Sequence, residues 1–212
     1  MALFKGKKKS ELSVKSTKIA VFIDAGNLWE VYKKIGKMIE VNKLESFFKE
    51  KFSGDIFKIF YYVAYPEDGT RPQVQIDKIH KFLTYLKKGL EFEVIKKPLK
   101  TINLRDKKGE LIYDQDTGEI KTKEKGNLDV EFTIDVIKYS TAYDIAVFVT
   151  GDSDFLPLIS YLRNLGGKAK KVYIFSTEGC ISNELRTGGD GYFDLKNCVE
   201  IHGCDLKNQE DR

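Results

Sequence analysis

Five short apolar runs, separated by stretches of helical spacing, limit this chain to few architectures. Residues 18–23 (KIAVFI), 55–65 (DIFKIFYYVAY), 92–97 (FEVIKK), 145–149 (IAVFV) and 169–175 (AKKVYIF) are rich in β-branched and aromatic residues and read as strands. Between them, NLWEVYKKIG places Leu28, Val31, Tyr32 and Ile35 on one helical face. KLESFFKEKF reads as a second helix. RPQVQIDKIHKFLTYLKKG is a third, with Pro72 near its start and Gly89 past its end. FLPLISYLRNLGG is a fourth, closed by glycine. Strands alternating with helices predict parallel βαβ units and a three-layer α/β/α, Rossmannoid fold with a central, mainly parallel sheet. In such sheets ligands bind beyond the carboxyl ends of the strands.

A chain of 212 residues suffices for one domain with a sizeable core. No apolar run approaches the roughly 18 residues of a membrane span. The lysines near the start are followed by no apolar stretch, so no secretory leader is expected. Three cysteines without a CxxC pair fit free thiols in a reducing cytoplasm. Cys198-x3-His202-x-Cys204 lacks a clear fourth ligand for zinc. The net charge of +4 is uneven: residues 1–18 carry six lysines against Glu11, and the rest of the chain sums to −1. Residues 1–17 are therefore expected as a basic flexible tail, 18–203 as the domain, and 204–212 as a C-terminal tail.

The alternation breaks between residues 98 and 125. Turn signals at DKKGE and DQDTGE predict a β-hairpin-like insertion projecting from the body. It is a solvated arm or an arm that touches substrate. The following segment, NLDVEFTIDVIKYS, alternates like a strand but has the length of a helix. On a helical wheel Glu131, Asp135 and Lys138 share a narrow polar arc, and apolar residues fill most of the rest. Asp129 falls inside that apolar arc, where a carboxylate is costly unless it is paired or binds a cation. Asp135 falls on the wet side. GGDG at 188–191 is expected as a flexible loop rather than a phosphate cradle.

Four carboxylates converge in this reading. Asp24 ends the first strand, Asp152 and Asp154 follow the fourth, and Asp129 opens the helix leading into it. In an extended segment Asp152 and Asp154 face the same way. Four acids at one sheet edge repel one another without a cation, and hard divalent ions such as Mg²⁺ and Mn²⁺ suit an all-oxygen set. Asp154 is either a ligand or the cap of the helix at Phe155. Only His80 and His202 are present, and G-x-S-x-G, P-loop and G-x-G-x-x-G sequences are absent, which disfavours histidine-based and nucleotide-cradle chemistry.

Three stretches resemble a known family: VFIDAGNL (21–28), KGNLDVEFTIDVI (125–137) and VTGDSDFLPLISYLRNLGGKAK (149–170). They are similar, in order and spacing, to the NYN domain of the LabA-like group in the PIN-like nuclease superfamily. SNELRTGGDGYFDL resembles the family's C-terminal segment. The resemblance implies a PIN-like fold and Mg²⁺- or Mn²⁺-dependent cleavage of RNA, in single-stranded form, by acids matching Asp24, Asp129, Asp152 and Asp154. It implies that Asn27 lines the site and that Ser153 can donate a hydrogen bond there. It places a further aspartate at Asp135, which the helix phase sets behind the ligands. No membrane partner is expected, and a homodimer is open. Two alternatives are a noncatalytic RNA-binding or regulatory module keeping the fold, and a phosphohydrolase using Asp24 as nucleophile.

Overall fold

The computed structural model describes residues 16–206; residues 1–15 of the expected basic tail lie outside them. The first strand, β1 (Lys18–Asp24), is the axis of the fold. Ile19 to Ile23 are fully buried, as in a parallel strand covered on both faces. It pairs in parallel with β3 (Asp55–Tyr65) on one side and β7 (Ile145–Val149) on the other. Beyond β3 lies β4 (Glu93–Pro98), and beyond β7 lie β8 (Lys171–Ser176) and β9 (Gly191–Asp194), all parallel. The order β4-β3-β1-β7-β8-β9 reverses direction at β1. A crevice opens between strand ends at such a reversal.

The pleat of β1 divides the core. Ile19, Val21 and Ile23 face α1 (Ala25–Ile35), α2 (Leu44–Phe52) and α3 (Gln73–Thr84). Ala20 and Phe22 face α4 (Asp129–Lys138), α5 (Leu156–Arg163) and α6 (Asn183–Gly188). The three layers expected from the alternation are present. Aromatic rings fill the second core: Phe22 stacks on Phe60 at 4.9 Å, and Phe132 lies 4.3 Å from Phe155 and 4.8 Å from Tyr62.

The insertion is a two-stranded ribbon, β5 (Lys100–Asn103) antiparallel to β6 (Thr122–Lys125), extended by bridges at Arg105–Leu111 and Tyr113–Ile120. Its turns follow from local chemistry. Asp106 Oδ1 accepts from Lys108 N and Glu110 N, and Asp114 Oδ1 accepts from Asp116 N and Thr117 N.

Four expectations need correction. First, α4 buries only a narrow stripe, Phe132 and Val136; Val130 is 66% exposed and Ile134 56%. The helix turns its polar arc toward the β3–β4 edge, where Glu131 accepts from Lys97 and Asp135 accepts from the Tyr62 hydroxyl. Asp135 is thus half-buried, not wet. Second, GGDG is packed tightly. A Cβ at Gly189 would meet Ile174 Cδ1 at 2.5 Å and Val172 O at 2.7 Å, and Asp190 accepts from Val172 N. Third, order continues past residue 203: β10 (His202–Asp205) pairs with β2 (Lys37–Ile39), and Leu206 N donates to Gly36 O. Strands this short carry no periodic signal. Fourth, residues 153–155 form a 3₁₀ turn rather than an extended segment.

Candidate metal centre

The register of β1 places Asp24 one residue beyond the Ile23–Val149 pair, level with the start of the β7–α5 loop. There it caps α1. Its Oδ1 accepts from Gly26 N and Asn27 N, and its Oδ2 accepts from Asn27 Nδ2 at 2.5 Å and from Thr150 Oγ1 at 3.3 Å. Asn27 spans the crevice, because its Oδ1 accepts from Gly151 N. Thr150 Oγ1 accepts from Asp152 N in turn. Asn27 and Thr150 thus tie the loop after β7 to the end of β1.

The 3₁₀ turn settles which acid caps. Asp152 Oδ1 accepts from Asp154 N, so Asp152 is the cap and Asp154 lies within the turn. The turn swings the Asp154 carboxylate toward Asp152, bringing the pair together by curvature rather than by strand alternation. On the facing element, Asn127 prepares Asp129: its Oδ1 accepts from Asp129 N, and its Nδ2 donates to Asp129 Oδ2. Oxygens of Asp129, Asp152 and Asp154 lie within 4.8 Å of one another. Asp24 stands beside this trio rather than inside it. Ser153 is half-buried in the turn, and its hydroxyl makes no hydrogen bond among the described residues.

Burial raises the pKa of Asp129 above the ordinary carboxylate value; the Asn127 hydrogen bond opposes this, and the charges of Asp152, Asp24 and Asp154 add to it. The four acids therefore share one electrostatic field. Burial likewise raises the pKa of Asp135, but that residue answers to Tyr62 and to Lys138, away from the trio. Three carboxylates this close fit a hard divalent cation by donor chemistry and spacing. Asp24, Asp129 and Asp152 also line a cavity of about 1140 Å³, walled by Tyr61, Tyr62, Phe132 and Phe155 and rimmed by Trp29, which is half exposed.

Other candidate groups lie elsewhere. His202 Nε2 contacts Leu195 O, Cys198 is buried and Cys204 is exposed. Among the described residues these three form no metal-ligating cluster. His80 sits against the Tyr65 ring. Sequence reasoning passed over Asn127 and Thr150. Asn127 had a readable signal, an Asx residue two positions before the first turn of a helix; Thr150 had none beyond its place in the loop.

The chain matches the NYN domain family over residues 18–196. It is 26% identical, over 184 residues and 87% of each chain, to the Low amplitude and bright protein LabA of Synechococcus elongatus. It also resembles the crystal structure of a Vibrio parahaemolyticus protein of unknown function, with a TM-score of 0.61 and 20% identity, covering 90% of this chain and 99% of that one. Motif order, strand order and family match agree: the chain belongs to the NYN domain family, in its LabA-like group, and has a PIN-like fold.

Proposed function

We propose that this protein is a ribonuclease that hydrolyses RNA phosphodiester bonds with Mg²⁺ or Mn²⁺. The observation that carries the reading is the approach of Asp129, Asp152 and Asp154 within 4.8 Å beside Asp24, at the carboxyl edge of the sheet and the wall of a large cavity. Asp129, Asp152 and Asp154 would hold the ion, with Asp24 completing the acidic wall. A bound divalent ion supplies charge neutralisation at the phosphoryl group and activation of water. Asn27 fixes Asp24 against the Gly151 loop, and Asn127 fixes Asp129. Ser153 offers an unengaged hydroxyl for the scissile phosphate. Asp135 acts behind the site by holding the Tyr62 phenol in the cavity wall.

Charge on the insertion supports a polyanionic substrate. The ribbon register pairs Lys100 with Lys125 and Ile102 with Lys123, so three lysines share one face. None forms an ion pair among the described residues. Like charges directly opposed across a ribbon are unfavourable, and a phosphate backbone relieves that repulsion. No described helix is long and apolar enough to cross a membrane, and three cysteines without a CxxC pair suit a reducing cytoplasm.

The test is cleavage of labelled single-stranded RNA with Mn²⁺, beside Asp129→Asn and Asp152→Asn. We expect each substitution to abolish cleavage and weaken Mn²⁺ binding. Equal cleavage by parent and variants would sink the assignment. Absence of Mn²⁺ binding at millimolar concentration by the parent would favour a noncatalytic RNA-binding module on the same fold.

A further inference from the structure

The cavity beside the acids is a poor host for a polyanion. Among the described residues five carboxylates line it, those of Asp24, Glu30, Glu124, Asp129 and Asp152, against a single cationic side chain, Arg71. Arg71 sits in the loop between β3 and α3. Its guanidinium is engaged across the cavity mouth by Glu124 of β6, with Nη2 to Oε2 at 2.5 Å. The partner comes from the insertion, whose root also lines the cavity at Leu99 and Gly126. That root is pinned: a Cβ at Gly126 would stand 2.4 Å from Ala64 Cβ and 2.9 Å from Leu99 Cδ2. The close approach fixes where Glu124 is presented.

We infer that Arg71 is a phosphate subsite for the substrate backbone and that Glu124 occupies it until a phosphate displaces the carboxylate. This rests on the nucleic-acid reading above. The exchange is feasible because both side chains are about two-fifths exposed, and an exposed ion pair contributes at most about 1 kcal/mol. A phosphate offers the same guanidinium a forked, charge-assisted contact. The insertion thus guards the only cation that lines the cavity among the described residues, and a strand that enters must exchange one anion for another there. Short anions without a second point of attachment gain little from that exchange.

The experiment measures binding of a short labelled single-stranded RNA by anisotropy, in Ca²⁺ buffer with probe integrity checked on a gel. Parent, Arg71→Gln, Arg71→Lys, Glu124→Gln and the Gln–Gln double variant are compared after their folding is verified by circular dichroism. We expect Arg71→Gln to weaken binding about tenfold and to flatten the log–log salt dependence by about 0.7. Arg71→Lys should fall between it and the parent, since a lysine keeps the charge but loses the fork. Glu124→Gln should tighten binding up to about fivefold, and the double variant should match Arg71→Gln. Weakening by Glu124→Gln as large as that by Arg71→Gln would show a structural strut and overturn the inference. Unchanged binding by all variants, with the parent binding, would overturn it alone. A parent that binds no RNA would overturn both it and the reading beneath it.

Discussion

Gly151→Ala tests whether the two loops at the sheet edge meet as closely as described. A Cβ at residue 151 would stand 1.6 Å from the Cys180 carbonyl oxygen and 2.7 Å from its carbon, where 3.0 Å is the practical limit. Backbone faces backbone, so no rotamer change relieves the contact. The β7–α5 loop and the loop before α6 must part by at least 1.4 Å. That separation breaks the hydrogen bond from Ser182 N to Gly151 O and strains the one from Gly151 N to Asn27 Oδ1. Overpacking of this kind costs about 1–3 kcal/mol. For a domain of this size, about 2 kcal/mol lowers Tm by roughly 4–8 °C. Because Asp152 is the next residue, the same movement shifts a carboxylate out of the trio and should weaken Mn²⁺ binding. Gly166→Ala is the control. Nothing lies within 4 Å of a Cβ there, so its Tm should stay level or rise slightly. Thermal melts with and without Mn²⁺ read both effects. A Gly151→Ala protein that melts within about 1 °C of the parent and binds Mn²⁺ equally would refute the described packing.

Two further outcomes follow from the core and from α4. Phe132→Ala removes a ring that touches Phe155, Tyr62, Phe148 and Phe22 and should cost about 3–5 kcal/mol in urea unfolding; a cost below about 1 kcal/mol would contradict that packing. Asp135 has a pKa raised chiefly by burial, so its protonated form favours the fold at low pH and that stability is lost as pH rises through the raised value. Asp135→Asn should therefore compare better with the parent at pH 7 than at pH 4 in thermal melts, and a difference that does not change with pH would count against the burial of Asp135.

The two central strands were readable because they are buried on both faces, which leaves an unbroken apolar run, as in Ile19–Ile23 and Ile145–Val149. Asp24 and Asp152 were readable for the complementary reason: a carboxylate at the end of such a run, or in the short loop that leaves it, sits at a sheet edge. What could not be read is what depends on rotation and long-range approach. The twist of α4 that exposes Val130 and Ile134 follows from Glu131 and Asp135 finding Lys97 and Tyr62 on distant strands. A wheel drawn from the segment alone sees polarity but not partners. The convergence of Asp152 and Asp154 depends on a one-turn 3₁₀ helix, a choice made by cap geometry rather than by pattern. The Arg71–Glu124 pair joins residues 53 positions apart, and no local rule announces it. The tight crossing at Gly189 looked like a loose loop because glycine marks both flexibility and close approach.

The position of β1 has a consequence for how the chain comes to exist as a folded object. Its two neighbours are made at very different times: β3 ends at residue 65, whereas β7 begins at residue 145. During synthesis from the N-terminus, β1 can zip to β3 early, yet its other edge waits for some eighty more residues to be added. An unpaired strand edge with an apolar middle, here Ile19–Ile23, is a template for intermolecular pairing, and a chain with such long closures folds slowly. The same delay separates Asp24 from Asp152. A truncated or nascent chain therefore carries one side of the acidic crevice without the other, and the charge cluster comes into being only with the last central strand. Vulnerability to aggregation and competence for chemistry are governed by one event, the docking of β7 onto β1.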